Sequence, residues 1–208
     1  RDYNTTNIPE NELRNVYLAP FEAAVRAGVA SIMTSFSDLD GVPASANAWL
    51  LRSVLRGEWG FDGAVVSDWE SIRQLQTHGL TDSDAASAYE AATAGVDIEM
   101  ASTTYADHLA ALVRDGRVPE AVVDAMVTHV LSLKERLGLF DRPYVEPHGF
   151  PPAGCDEHLA VAREAAEQSL VLLRNDAGVL PLALERCAKI AVIGPLADCP
   201  HEQLGTWI

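Results

Sequence analysis

The run GFDGAVVSDWES, residues 60–71, sets a carboxylate where parallel α/β proteins commonly do chemistry. Gly63 to Val66 read as a buried central strand, and Ser67, Asp68, Trp69 and Glu70 then bring polar groups to its carboxyl end. Asp68 is the candidate reactive group. Kept ionised by hydrogen bonds and partial solvation, it can attack an electrophilic carbon or phosphorus. The same position also lets it cap a following helix, and periodicity does not separate the two readings. Trp69 favours the chemical one, because it falls after the strand rather than within it. There its aromatic face can pack against the apolar C–H face of a sugar ring instead of filling a core. Glu70 is a second carboxylate, but neighbours two apart at a strand end diverge, whereas paired glycosidase carboxylates must face each other at about 5–5.5 Å or more. The histidines, His78, His108, His129, His148, His158 and His201, have no spacing that sets two on one helix face, so no metal site is expected and most read as surface residues. His78, in the loop after the Asp68 strand, is the one placed to approach a ligand.

Three apolar runs would position these groups: VASIM from Val29, GAVVSD from Gly63 and VDIEM from Val96. Each reads as a strand. Each follows a segment of helical period, VYLAPFEAAVRAG, ANAWLLRSVLRGEWG and SDAASAYEAATAG, which Gly28, Gly60 and Gly95 can close. The spacing of 33 to 34 residues suits βα units with parallel strands. Helices are predicted over about residues 105–114 and 119–137, the second with Pro119 at its first turn. LFDRPYVEPHGFPPAGCDE reads as a proline- and glycine-rich linker. HLAVAREAAEQSLVLLRN then reads as a helix and KIAVIG, around Ile190, as a buried strand opening a second α/β domain. A barrel needs about eight strands, so the chain is expected to be a piece of a longer protein.

Composition narrows the function. With 208 residues, 48% hydrophobic and 22% charged, the chain has the makings of an ordinary core. A net charge of -15, with 15 Lys and Arg against 30 Asp and Glu, repels a phosphate backbone and argues against nucleic-acid binding. No stretch approaches the ~20 apolar residues of a membrane span, so no membrane partner is expected. Cys155, Cys187 and Cys199 form no CxxC pair and suggest neither a disulfide framework nor a zinc site.

Taken in order, RDYNTTNIPENELRNVYLAPFEAAVRAGV, DGVPASANAWLLRSVLRGEWGFDGAVVSDW, LKERLGLFDRPY, AREAAEQSLVLLRN, IGPLAD and LGTW resemble glycoside hydrolase family 3, in particular its β-glucosidase group with bacterial periplasmic members. The resemblance implies an α/β fold. Residues 1–140 would be the C-terminal part of a (β/α)8 TIM-like barrel, 141–157 a linker, and 158–208 the beginning of a second α/β sandwich domain. It implies retaining release of terminal β-D-glucosyl or β-xylosyl residues, with Asp68 as nucleophile and Trp69 bordering the sugar site. Asp97, Met33 and Phe36 would line or support the pocket, Met33 equally by packing at the barrel rim. Ser37 and Asp40 in SFSDLDG stand where relatives often have Asn. The glycone-binding Lys-His pair would precede Arg1, and the acid/base glutamate would lie beyond Ile208, so the isolated chain is expected to be inactive. No cofactor is implied. The partners implied are a β-linked oligosaccharide or glucoside and the rest of the polypeptide, a homodimer is one assembly the resemblance admits, and a periplasmic or extracellular setting is favoured.

Two other readings compete. The pattern hhhSDWE superficially resembles the aspartate nucleophile of haloacid dehalogenase-like phosphotransferases, but those want Asp where Glu70 stands. The alternative without catalysis is a glycosidase-like fragment that only folds as part of something larger. A β-N-acetylhexosaminidase branch would need a His-Asp dyad on a barrel loop, which these residues do not display.

Overall fold

The computed structural model describes residues 3–146, 149–183, 185 and 187–205. They belong to two compact units, Arg1–Val145 and Glu146–Ile208. In the first, β1 (Thr5–Thr6) precedes α1 (Glu10–Glu12), which runs into a π-helical turn over Leu13–Tyr17 and then α2 (Ala19–Arg26). Next come β2 (Ser31–Met33), β3 (Asp38–Leu39), β4 (Val42–Pro43), a 3-10 turn over Ala44–Ala46 and a π-helix over Trp49–Glu58. The remainder is β5 (Ala64–Trp69), a 3-10 turn over Arg73–Leu75, α3 (Asp84–Ala94), β6 (Ile98–Met100), α4 (Thr104–Arg114) and α5 (Glu120–Arg136).

The strands β2, β5 and β6 pair in that order and all run parallel, as helix–strand alternation requires. The central strand is buried through Ala64 and Val65. On one side Val65 joins Leu51 and Leu55 of the π-helix, Phe61, Ile72, Leu75, Ala91, Ala94 and Val96 in a single core cluster. Gly95 ends α3 in the left-handed region, φ 108°, donating to the carbonyls of Ala91 and Ala92. Gly63 is demanded by packing instead: a Cβ there would lie 2.3 Å from the Ala30 carbonyl oxygen, so only glycine lets the chain enter β5 beside β2. A smaller sheet joins β1 to β3 in parallel and β3 to β4 as a hairpin. Its two turn residues, Asp40 and Gly41, both have positive φ, the type I′ geometry that an Asp-Gly pair favours.

The parallel register is held from below by Asp97, whose side chain is only 2% exposed. Its amide donates to the Val65 carbonyl at 2.8 Å while its Oδ2 accepts from the Val65 amide at 2.7 Å. Asp97 thus grips both polar groups of one residue of β5, the amide through its carboxylate and the carbonyl through its own backbone N–H. Arg56 on the π-helix donates to Oδ2 at 2.7 Å, and His129 Nδ1 on α5 lies 2.9 Å from Oδ1. Burial pushes the Arg56 guanidinium below its usual range, and the adjacent Asp97 charge opposes this.

The second unit departs from the expected sandwich opening. Its helix α6 (Asp156–Ser169) stops six residues before the end of the helical pattern at Asn175, and residues 170–175 carry no helical turn. KIAVIG forms no strand either: Ile190, Val192 and Ile193 are 57%, 75% and 90% exposed. An apolar segment becomes a strand only by hydrogen bonding to a neighbour, and the described residues of this unit offer none. A 3-10 turn over Pro200–Leu204 follows. His148 in the linker segment, and Thr206 and Trp207 of LGTW, lie outside the described residues.

Removing the buried Asp97 carboxylate should cost far more than breaking a surface pair. Asp97→Ala leaves the partly buried Arg56 guanidinium without its countercharge and the buried Val65 amide without its acceptor, and we expect a loss of about 3–5 kcal/mol in urea denaturation of the full-length protein. Arg136→Ala, which breaks an exposed pair with Asp62, should leave the midpoint nearly unchanged. Equal midpoint shifts for the two variants would show that Asp97 does not hold the register.

Candidate active site

The site is built by a break in the β5–β6 ladder. Val66 pairs with Ile98, but Trp69 pairs with Met100, so three steps along β5 answer two along β6. One extra residue is therefore accommodated on β5 around Ser67 and Asp68, a β-bulge of the kind that re-aims side chains beside active sites. Fully buried Ser67 repairs the break: its Oγ accepts from the Met100 amide at 2.9 Å and donates to the Asp68 carbonyl at 2.9 Å. One step on, the Glu70 amide donates to the Met100 carbonyl, also at 2.9 Å.

Asp68 consequently stands half-buried at the carboxyl end of the central strand. Its Oδ1 accepts from the Trp69 amide at 2.6 Å. Among the described residues its other oxygen has no protein donor. The carboxylate caps no helix: the next helical turn, Arg73–Leu75, begins after Ile72 and receives no side-chain cap. An oriented carboxylate with one oxygen unengaged suits attack on an electrophile. Trp69 is 54% exposed, so it is not a core residue and its ring is available as an apolar wall. Glu70 sits in the left-handed region, φ 53°, and its carboxylate makes only a loose 3.8 Å approach to Arg73.

Phe36 and His78 come together through a residue that the sequence analysis did not single out. The Tyr3 ring lies 6.1 Å from Phe36 and 5.4 Å from His78, tilted against both, and its hydroxyl donates to Gln74 Oε1 at 2.6 Å. Phe36 follows β2 and His78 follows β5, so Tyr3 spans the loops beyond both strand ends. No local pattern in RDYN marks such a role.

Two expectations need correction. Asp97 is not with Asp68. It precedes β6 and grips Val65, three residues before Asp68, so along a strand rising about 3.3 Å per residue it sits roughly 10 Å down the sheet. With Arg56, Val65 and His129 as partners, its carboxylate is committed to structure. His129 is accordingly no plain surface residue. Met33, 48% exposed at the end of β2, lines a separate apolar cavity of about 380 Å³ with Ile8, Leu13, Leu18, Ile32 and Trp59, and Asp68 is not among that cavity's walls. Asp40 spends its left-handed backbone on the hairpin turn, a conformation Asn and Asp tolerate best among residues with a side chain. Among the described residues no three His, Cys, Asp or Glu side chains converge as metal ligands would.

Comparison with known proteins gives this geometry a context. Residues 1–133 match the family model described as the glycosyl hydrolase family 3 N terminal domain. A periplasmic beta-glucosidase of Salmonella typhimurium is 38% identical over 213 aligned positions, covering 100% of this chain and 28% of the relative. A beta-xylosidase of Formosa agariphila is 36% identical, covering 97% of this chain and 29% of its own length. Among solved structures, the beta-glucosidase of Listeria innocua in complex with glucose superposes with a TM-score of 0.79 at 40% identity, over 88% of this chain and 25% of that one. A beta-glucosidase involved in saponin metabolism from intestinal bacteria superposes with a TM-score of 0.88 at 34% identity, over 100% of this chain and 27% of that one. The chain thus spans between 25% and 29% of the length of these relatives.

The Ser67 hydroxyl stands in for a main-chain rung, so Ser67→Ala should leave the half-buried Met100 amide without its acceptor. We expect a loss of about 1–3 kcal/mol in the full-length protein, seen as a lower Tm. A Tm within a degree of the wild type would mean that the bulge is held by other contacts.

Proposed function

The chain belongs to glycoside hydrolase family 3, and from that premise we propose that it carries the nucleophile of a retaining, exo-acting glycoside hydrolase that releases terminal β-D-glucosyl or β-D-xylosyl residues. The observation that carries this reading is Asp68: a half-buried carboxylate at the end of the central parallel strand, held by one oxygen and flanked by an exposed Trp69. In the first step Asp68 attacks the anomeric carbon. The C1–O bond to the leaving group breaks, and a glutamate elsewhere in the polypeptide protonates the departing oxygen. In the second, the same glutamate takes a proton from water, which attacks C1 and returns Asp68 as a carboxylate, with net retention of configuration. No cofactor takes part.

On this reading residues 1–140 are the C-terminal part of a (β/α)8 barrel, 141–157 a linker and 158–208 the beginning of an α/β sandwich domain. The three parallel strands supply the barrel staves that present Asp68, while Trp69, Phe36 and His78 border the sugar. Relatives named for β-glucoside and β-xyloside cleavage support the substrate class. The name of the Salmonella relative supports a periplasmic or extracellular setting. Aspartyl phosphotransfer gains no support from these relatives.

The tests separate chemistry from binding. In the full-length protein, Asp68→Ala should lower kcat on an aryl β-glucoside by more than about 10³-fold, and azide should restore turnover as the glycosyl azide of inverted configuration. A variant retaining more than about a tenth of wild-type kcat, only ~1.4 kcal/mol of barrier, would sink the assignment. Trp69→Ala should raise KM for bulky glucosides more than it lowers kcat. A collapse of kcat at constant KM would instead put Trp69 in the transition state alone.

A further inference from the structure

Behind the Asp68 turn lies a chain of three hydroxyls that the mechanism above does not use. Thr34 Oγ1 is 2.8 Å from Ser45 Oγ, which is 2.9 Å from Ser71 Oγ. All three residues are buried, 5%, 2% and 4% exposed. They come from three separate segments. Thr34 continues β2, its amide still donating to the Val66 carbonyl at 3.0 Å. Ser45 is the middle residue of the Ala44–Ala46 turn, whose first amide donates to the Ser37 carbonyl at 3.2 Å. Ser71 closes the turn after β5, its amide donating to the Asp68 carbonyl at 3.1 Å.

Buried hydroxyls are costly without partners, and here each end of the chain depends on the middle one. Ser45 has one proton and two lone pairs, enough to serve both neighbours at once. Its place couples the loop after β2, which carries Phe36, to the turn that sets the Asp68 backbone. Replacing Ser45 by an apolar residue would leave Thr34 and Ser71 facing each other across a gap that neither spans.

Resting on the glycosidase reading, we propose that the Thr34–Ser45–Ser71 hydroxyl chain is a positioning clamp, which fixes the Asp68 turn against the loop after β2 and so sets the approach of the nucleophile to the sugar. None of the three is a catalytic residue. They act through the backbone of residues 68–71.

The test uses the full-length protein, an aryl β-glucoside for turnover, and an activated 2-deoxy-2-fluoro-β-glucoside to trap the nucleophile, with the ester at Asp68 followed by mass spectrometry. Thr34→Val keeps the shape and removes the hydroxyl. Thr34→Ser keeps the hydroxyl. We expect Thr34→Val and Ser45→Ala each to slow trapping and lower kcat by about tenfold or more, with KM within about twofold of wild type, as a misplaced nucleophile would. Thr34→Ser should restore both, and the double variant should lose little beyond either single one, because each breaks the same chain. Thr34→Val trapping at the wild-type rate, even with a lowered Tm, would overturn the clamp while leaving Asp68 in place. Failure of the wild type to be trapped at Asp68 would overturn the glycosidase reading and the clamp together. Should Ser45→Ala not fold, the isosteric Thr34 pair decides the matter alone.

Discussion

The placement of Asp68 depends on the pairing of β5 with β6, and that pairing is controlled by two side chains rather than by the backbone alone. At the lower end Asp97 accepts from the Val65 amide and donates its own amide to the Val65 carbonyl, so β5 cannot slide without breaking both. At the upper end Ser67 supplies an acceptor for the Met100 amide where the ladder skips a residue. Register matters because side chains alternate between faces. A slip of one residue would exchange buried Val65 and Ser67 for their neighbours on the opposite face. Between the Val66–Ile98 and Trp69–Met100 pairings β5 must absorb one extra residue, and it does so around Ser67 and Asp68. The bulge thus lies beyond the Asp97 anchor, and Ser67, itself within it, bonds it to β6.

The lower anchor is unusual in kind. A buried carboxylate with an arginine is weak evidence for net stability, since desolvation of both charges opposes their attraction. What the Asp97 group contributes is connection. The same two oxygens reach β5 through Val65, the π-helix through Arg56 and α5 through His129. Hydrophobic contact can hold these elements together at many relative offsets, whereas three directional bonds on one carboxylate admit one. Tyr105 adds a neighbouring tie, its hydroxyl donating to the Val96 carbonyl at 2.9 Å, and burial pushes its phenol well above the usual range, so it stays a donor.

Much of this was legible from residue types. The alternation of helical period with short β-branched runs predicts parallel strands in VASIM from Val29, GAVVSD from Gly63 and VDIEM from Val96. The strands form within or across these runs, over Ser31–Met33, Ala64–Trp69 and Ile98–Met100. Polar residues at the end of an apolar run mark Asp68. The features that were not legible share a physical cause: they are contacts between residues far apart in sequence. Asp97 in VDIEM has the same local look as Asp68 in VVSDW, a carboxylate beside an apolar strand. Only position relative to strand direction separates them, the first entering β6 and the second leaving β5. Tyr3 and the hydroxyls of Thr34, Ser45 and Ser71 carry no periodic signature, because their partners lie up to 75 positions away or in loops whose path no pattern predicts. KIAVIG shows the converse. Its composition is that of a buried strand, but composition states what a segment would bury, and pairing depends on what lies beside it.

Both strands that meet at the bulge leave the sheet through residues that disfavour the conformation they adopt. Glu70 follows β5 with φ 53°, and Ala101 follows β6 with φ 65°. A left-handed backbone costs a side-chain-bearing residue roughly 1–2 kcal/mol, and Ala has no polar side chain to offset it. The compensation is local and visible. The Glu70 amide donates to the Met100 carbonyl, binding one exit to the other, while the Ser71 amide closes back on the Asp68 carbonyl. Without these reversals β5 would run on as regular strand and carry its polar residues away from the rim. With them the chain turns within three residues of Asp68, leaving the carboxylate at the edge of the sheet and Trp69 facing solvent. Strain at the two exits and the bulge between them are thus parts of one arrangement, in which the sheet is made to end where its reactive group begins.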